Sequence, residues 1–147
     1  MKLNCPAFLE NQKIPPIYTC DGENINPPLL ISEVPNNAQS LALITDDPDA
    51  PNGTFTHWMI WNMLPDLKEI SENNVPEGAE QGMNGRGKMG YTGPCPPSGV
   101  HHYHFKLFAL NRKLDVSINI SKQELEREIQ GSLIEKAELI GIYNRST

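Results

Sequence analysis

Histidine and aspartate side chains concentrate in two short stretches of this chain, and both residue types can serve acid–base, metal or anion chemistry. The first stretch, residues 44–63, reads ITDDPDAPNGTFTHWMIWNM and places three aspartates and His57 between two apolar runs. The second, residues 100–110, reads VHHYHFKLFAL and holds the other three histidines. An imidazole beside a carboxylate has a fixed tautomer and a raised pKa, and one ring nitrogen stays available for a ligand. Together the stretches predict a functional site, provided that the fold brings them together.

Alternation along a strand decides which of these side chains share a surface, because successive side chains point to opposite faces. His101 then lies with Tyr103 on the apolar face of its strand, and His102 and His104 lie on the opposite face. By the same count His57 shares a face with Met59, Trp61 and Met63. The two imidazoles on apolar faces, His57 and His101, are therefore the candidates for one pocket.

Neighbouring strands would place His57 and His101 at the mouth of that pocket. Asp47 and Asp49, in a turn stiffened by prolines, could reach it from the adjacent loop. Of the chemistries open to such a set, anion capture is favoured. Imidazole donors, a tyrosine hydroxyl and the backbone N–H groups of a glycine-rich loop can surround a phosphate without any nucleophile.

Metal binding and nucleophilic catalysis are the alternatives. Asp-x-Asp plus several histidines resembles a set of metal ligands, but alternation places His102 and His104 opposite His101, so they do not converge. Cys95 near His101 is a conceivable nucleophile, yet its GPCPP context offers few amide donors and no helix N-terminus. We therefore predict no catalytic residue, no metal and no cofactor. A metal-dependent or cysteine hydrolase is kept as the alternative function.

Length, charge and cysteine content narrow the class of protein. The 147 residues predict one domain, 1–147, and a net charge of −6 without a basic stripe argues against nucleic-acid binding. The sequence has no apolar run of the ~18 residues that an integral membrane segment needs and no secretory signal, which predicts a cytoplasmic protein. Cys5, Cys20 and Cys95 are then read as three reduced thiols, with a Cys20–Cys95 bridge left open.

Short apolar runs separated by proline and glycine predict a mainly β fold. Strands are expected at residues 40–45, 57–63 and 100–110. Residues 76–99 contain seven of the eleven glycines and predict a long irregular loop. Ser121 followed by Glu124 forms a capping box that predicts a helix, broken or bent at Gly131. Its apolar face is expected to comprise Leu125, Ile129, Leu133 and Ile134.

The motif DDPDAP followed by HW, and later GYTGPCPPSGVHHYHFKLFAL, resembles the two signature blocks of the phosphatidylethanolamine-binding proteins. The short bacterial and archaeal branch, often called Raf-kinase-inhibitor-like, is the more similar one. Residues 14–35 and 136–145 also resemble that branch, so the resemblance covers nearly the whole chain in order. It implies a Greek-key β-sandwich with a few short helices and a small anion pocket at one end.

The resemblance also implies which residues line the pocket. Carried over from the two blocks, the ligand-binding residues are Asp47, Asp49, Pro51, His57, Tyr91, Gly93, Pro96, Pro97, His101 and Tyr103. It further implies a cis peptide bond at Ala50–Pro51. The chain departs from the family pattern at His102, where arginine is common, and at Arg86, which adds positive charge near the mouth of the pocket.

The predicted function is therefore non-enzymatic binding of a phosphorylated small molecule or a phospholipid headgroup. By analogy with the family, the protein is expected to regulate a partner such as a kinase or protease and to form a homodimer. Binding is expected to weaken as pH rises through the histidine range, because protonated imidazoles and a bound anion stabilise one another.

Overall fold

Eight strands, one α-helix and a short 3-10 helix form the part of the chain that the structure, a computed structural model, describes, residues 1–145. The strands are β1 (Lys2–Asn4), β2 (Leu29–Ser32), β3 (Ser40–Asp47), β4 (Phe55–Met63), β5 (Glu69–Ile70), β6 (Glu80–Gln81), β7 (His101–Leu110) and β8 (Leu133–Tyr143). The helices are the 3-10 helix Pro16–Tyr18 and α1 (Lys122–Gln130). None of the helices in these residues is long and apolar enough to cross a membrane.

The strands form two antiparallel sheets, a larger one ordered β6-β4-β3-β7-β8 and a smaller one ordered β1-β2-β5. The main apolar core lies between them, because one buried cluster takes side chains from both, among them Leu3, Ile31, Ile70, Leu43, Trp58 and Phe105. A second cluster covers the opposite face of the larger sheet beneath α1, where Leu125 and Ile129 are buried. The predicted mainly β sandwich is confirmed.

The central strand of the larger sheet is β3, and all eight of its residues are buried. It pairs with β4 along one edge and with β7 along the other. The strands that carry His57 and His101 are therefore separated by β3 and do not pair with each other. Instead, Asp47 at the end of β3 lies between them.

A β-bulge in β4 decides where the His57 side chain points. Thr45 of β3 pairs with Trp58, and Asp46 pairs with Thr56, so His57 is an extra residue without a partner opposite. An extra residue shifts the alternation of side chains by one position. The faces inferred by counting along β4 therefore do not hold across this point.

The bulge places His57 on the face of the main core. Its imidazole meets the Tyr103 ring with centroids 5.2 Å apart. Met59 and Trp61 instead pack beneath α1, and Met63 returns to the main core after a second register shift. The prediction that His57 shares a face with Met59 and Trp61 is wrong, because the count assumed an unbroken strand.

Alternation in β7 is regular through its first half, as predicted. His101, Tyr103 and Phe105 are buried on the main-core side, whereas His102 is exposed on the other. His101 is thus the first residue of a buried stripe, at the same end of the sheet as Asp47.

The helix begins where the capping box predicts, because the Ser121 Oγ accepts a hydrogen bond of 3.1 Å from the Glu124 N–H. The expectation that its apolar face continues to residues 133 and 134 is wrong. After Gly131 the chain turns into β8, which pairs with the whole of β7. Cross-strand pairing and burial of alternate side chains against the core override the local helical periodicity there.

The segment 76–99 is mostly irregular, as predicted, and contains only the two-residue strand β6. Residues 1–145 contain no cis peptide bond, so the expected cis bond at Ala50–Pro51 is wrong. The trans form of an X-Pro bond is favoured by about 0.5–1 kcal/mol, and the loop directs Asp47 and Asp49 to their partners without the rarer isomer.

Candidate functional site

A cavity of about 130 Å³ opens at the end of the larger sheet, where β3 ends and where β4 and β7 begin. Its lining consists of Asp47, Ala50, Pro51, Phe55, His57, Arg86, Gly93, Cys95, Pro96, Pro97, His101 and Tyr103. All ten predicted ligand-binding residues except Asp49 and Tyr91 belong to this lining. The fold thus brings the two sequence blocks together around one small volume.

His101 and Asp47 form a buried hydrogen bond in the wall of this cavity. The Nδ1 of His101 lies 2.6 Å from the Oδ2 of Asp47, and the two side chains are 9% and 5% exposed. Because a carboxylate accepts, Nδ1–H is the donor, and Nε2 is the ring nitrogen left for a ligand. The other oxygen of Asp47 accepts the backbone N–H of Asp49 at 2.8 Å, which fixes the orientation of the carboxylate.

His57 is held in the same manner by a backbone carbonyl. Its Nδ1 donates to the Thr92 oxygen at 2.7 Å, and the Thr92 N–H donates back to the His57 carbonyl at 3.0 Å. Burial lowers the pKa of His57, whereas the hydrogen bond to Thr92 and the charge of Asp47 oppose that shift. The prediction that the acidic loop raises the pKa of this imidazole is wrong, because desolvation outweighs the nearby carboxylates.

Tyr103 lies between the two imidazoles. Its ring meets His57 edge-on at 5.2 Å and stacks on His101 at 6.4 Å between centroids. Burial and the negative charge of Asp47 raise the pKa of Tyr103. The phenol therefore stays protonated near neutral pH and can donate a hydrogen bond into the cavity.

Another part of the wall comes from residues 93–97, and the chain just before and within this stretch is anchored to the 3-10 helix and to the loop that follows it. The Tyr91 hydroxyl donates to the Tyr18 carbonyl at 2.7 Å, and the Gly93 N–H donates to the Asn24 Oδ1 at 2.7 Å. A Cβ on Gly93 would lie 2.2 Å from the Tyr18 oxygen, so this close approach requires glycine. Tyr91 serves the anchor and does not line the cavity.

A disulfide between Cys20 and Cys95 ties the same two segments, with Cα atoms 5.4 Å apart. The Cys20 N–H also donates to the Pro94 carbonyl at 3.1 Å. The interpretation of three reduced thiols is therefore wrong for this pair, and Cys5 is the free cysteine, buried in the core. The hydrogen bonds between the segments bring together two cysteines whose spacing in sequence gave no sign of a pair.

Asp49 turns away from the cavity toward His102. Its Oδ2 accepts from the His102 backbone N–H at 2.8 Å and from the ring Nδ1 at 2.7 Å. These two hydrogen bonds hold the pKa of Asp49 below its usual range. The histidine thus pairs with a carboxylate at the position where the family commonly has arginine. Asp49 is a positioning residue that fixes the start of β7, and with it His101.

Four lining residues were absent from the predicted set, namely Ala50, Phe55, Arg86 and Cys95. Phe55 packs its ring on His57 with centroids 4.8 Å apart. The sequence could have predicted Phe55 as a lining residue, because it precedes His57 by two positions in the same strand. Cys95 and Ala50 each adjoin a predicted proline, so their neighbours in sequence pointed to the right segments.

The donor set of the cavity suits a small anion. With Nδ1 of each imidazole occupied, the groups left for a ligand are two Nε2 atoms, the Tyr103 hydroxyl and the Arg86 guanidinium. Protonation converts each Nε2 into a charged donor, and charge-assisted hydrogen bonds to phosphate oxygens are among the strongest in proteins. Across residues 1–145, no three side chains of His, Cys, Asp or Glu converge as a set that could hold a metal ion.

Comparison with protein families gives one match that spans almost the whole chain. The family described as phosphatidylethanolamine-binding protein matches residues 4–144. That range includes both sequence blocks and every residue that lines the cavity.

Individual relatives extend over equally long ranges. A UPF0098 protein of Methanothermobacter thermautotrophicus is 49% identical over 150 residues, covering 99% of each chain. The crystal structure of CT736 from Chlamydia trachomatis, described as a homolog of phosphatidylethanolamine-binding protein, superimposes with a TM-score of 0.94 at 37% identity and covers 99% of this chain and 97% of its own. Escherichia coli YbcL, described as a new member of the mammalian PEBP family, gives 0.92 at 28% identity, with 99% and 98% covered.

Proposed function

The chain belongs to the phosphatidylethanolamine-binding protein family, and we propose that its cavity binds a phosphate-bearing small molecule or a phospholipid headgroup without converting it. Family membership supports a binding role. The choice of ligand rests on the chemistry of the cavity.

The observation that carries the proposal is the pair of buried imidazoles with their Nδ1 atoms already engaged. His101 is backed by the Asp47 carboxylate, which compensates the positive charge that a protonated ring would carry beside a bound anion. His57 is backed by the neutral carbonyl of Thr92. Its neutral Nε2 accepts a hydrogen bond from an ammonium group or a phosphate hydroxyl, and its protonated form donates a hydrogen bond to a phosphate oxygen.

The size of the cavity favours a headgroup. About 130 Å³ is well below the ~300 Å³ at the lower end of sites for drug-sized ligands. A phosphate with a short substituent fits, and the rest of a larger ligand must lie outside the mouth. Because Asp47 lines the cavity, a zwitterion such as phosphoethanolamine should bind better than a dianion of similar size.

The hydrolase alternative lacks support from the side chains that it would need. Cys95 is bonded to Cys20, so no thiolate is present at the cavity while the disulfide is intact. His101 and His57 direct Nδ1 to Asp47 and Thr92, and their neighbours in the lining include no free serine or cysteine. These contacts favour binding over hydrolysis.

Calorimetric titration of phosphoethanolamine and inorganic phosphate at pH 6 and pH 8.5 tests the proposal. A charge-assisted hydrogen bond contributes on the order of 1.5–3 kcal/mol, so His101→Ala should weaken binding roughly 10- to 100-fold at pH 6. Wild-type affinity should fall at pH 8.5, because burial lowers the pKa of His57 and its neutral ring must take up a proton before Nε2 can donate to phosphate. His104→Ala, on the opposite face of β7, is the matched control and should keep the wild-type affinity.

Two results would contradict the proposal. Equal affinities of wild type and His101→Ala at both pH values would mean that the imidazoles do not bind the anion. Release of inorganic phosphate from phosphate monoesters, at a rate that His101→Ala abolishes, would show that the site is catalytic. The homodimer and the regulation of a partner protein stay predictions. Light scattering that gives a mass near 16.4 kDa at micromolar concentrations would contradict the dimer.

A further inference from the structure

The cavity lined by His57 and His101 is called the histidine pocket below. A second cavity, of about 360 Å³, lies directly beside it. The Cys20–Cys95 disulfide belongs to the wall between them, because Cys95 lines the pocket and Cys20 lines the second cavity. Arg86 lines both cavities, so this residue lies where the two meet. We call the second cavity the Arg86–Lys88 groove, after its two cationic residues.

The charge of this groove is opposite to that of the protein. Its lining contains Arg86 and Lys88 and no carboxylate, although the whole chain has a net charge of −6. Among the described residues, neither cation has a carboxylate within ion-pair distance, whereas Lys106 and Lys122 both bind the buried Asp46. The positive charge of Arg86 also reaches His57, whose pKa it helps to lower. The groove therefore offers two uncompensated cations close to the histidine pocket.

The backbone that carries the two cations is fixed before any ligand arrives. Asn84 is buried, and its Oδ1 accepts the N–H groups of Arg86 at 2.9 Å and Lys88 at 3.4 Å. Its Nδ2 donates to the Gly90 carbonyl at 3.0 Å, and the Gly85 N–H is bonded to β4 through the Thr56 carbonyl. A turn held in this way loses less conformational entropy when its side chains bind a ligand.

We propose that the Arg86–Lys88 groove is a second anion subsite, which binds the distal anionic group of a ligand whose first phosphate occupies the histidine pocket. The ligand class is a small molecule with two or more linked anionic groups, such as a linear polyphosphate or a phosphate ester with a second acidic group. Arg86 can contact both groups, since a guanidinium presents several donors in one plane. Lys88 contacts only the distal one. The inference rests on the proposed function, because it extends the same site.

Calorimetric titration with inorganic phosphate, pyrophosphate and tripolyphosphate tests this assignment at fixed ionic strength. Wild type should bind tripolyphosphate at least tenfold more tightly than phosphate. Lys88→Gln should remove most of that preference and leave the affinity for phosphate unchanged, whereas Arg86→Gln should weaken both ligands. Lys113→Gln is the matched control, because it removes an exposed lysine near the far end of β7.

The outcomes separate the groove from the pocket. Equal wild-type affinities for phosphate and tripolyphosphate, or equal losses for both in Lys88→Gln, would overturn the groove and leave the pocket standing. A tripolyphosphate affinity that Lys88→Gln lowers but His101→Ala does not would overturn the proposed pocket and, with it, the role of the groove as an extension of that pocket. Absence of binding by either anion would overturn both.

Discussion

Reduction of the Cys20–Cys95 disulfide should strongly destabilise this protein. The bridge joins residues 75 positions apart and therefore restricts a loop that is half the length of the chain. For a loop of that length, the chain-entropy relation gives a stabilisation of roughly 4.5 kcal/mol at 25 °C. The total free energy of unfolding of most domains is about 5–15 kcal/mol, so the loss would be a large part of it.

Urea unfolding followed by tryptophan fluorescence measures this effect. Oxidised wild type, reduced wild type and the double variant Cys20→Ser, Cys95→Ser should fall into two classes. The oxidised protein should be more stable by several kcal/mol, and the other two should agree with each other. Adding reductant to the double variant is the control and should change nothing, since the remaining thiol, Cys5, is already reduced.

Two results would refute this reasoning. A difference below about 1 kcal/mol between oxidised and reduced wild type would mean that the reduced unfolded state is already restricted, or that the bridge strains the native state. A reductant effect of equal size in the double variant would assign the change to Cys5 or to the reagent.

Three further outcomes are expected. The pKa of His57 lies below its unfolded value of ~6.5, so the unfolded state binds more protons and stability falls as pH drops below that value. His57→Gln should therefore lose less stability than wild type between pH 7.5 and 5.5. Equal slopes of unfolding free energy against pH for the two proteins, measured by urea titration, would contradict this. Ser121→Ala removes the acceptor of the Glu124 N–H and should destabilise the protein by about 1 kcal/mol in urea unfolding, whereas Ser121→Asp should keep most of the stability. Equal losses of stability in the two variants would contradict a capping role. Gly85→Ala would place a Cβ 2.6 Å from the Phe55 ring. Thermal unfolding should then show a loss of about 1–3 kcal/mol in stability, and calorimetry should show a weaker affinity for phosphate. No change in either measurement would mean that the ring moves freely.

Sequence reasoning succeeds in this protein where the local pattern decides the structure. The buried face of β7, with His101 and Tyr103, follows from alternation in a strand that stays regular over those residues. The start of α1 follows from a capping hydrogen bond between Ser121 and Glu124, three positions apart. Both features depend on residues close together in the chain.

The predictions from sequence are wrong where the local structure depends on a segment that is distant in the chain. His57 points to the pocket because β3 pairs with β4 out of register, and nothing within β4 itself announces that extra residue. Residues 133–143 become a strand because β7 is available to pair with them. The pKa of His57 falls because the surrounding fold excludes water, an effect that a list of neighbouring charges does not contain.

The family resemblance indicated which segments line the cavity but did not predict what each side chain contacts. Both blocks contribute to the cavity, yet Tyr91 anchors a loop to Tyr18 and Asp49 orients β7 through His102. A family motif indicates which segments lie close together in the fold. The part that each residue plays depends on the direction of its side chain, which the backbone around it sets.

Because of the bulge in β4, the orientation of His57 depends on a single extra residue in that strand. Surface turns such as residues 64–68 can gain or lose residues at small entropic cost, because the strands on either side hold their ends. Between Phe55 and Trp58 a single deletion would instead restore regular pairing with β3 and leave the sheet intact without an imidazole at the pocket. In an alignment of relatives, a one-residue gap at this point would therefore identify proteins that keep the sandwich and have lost the site.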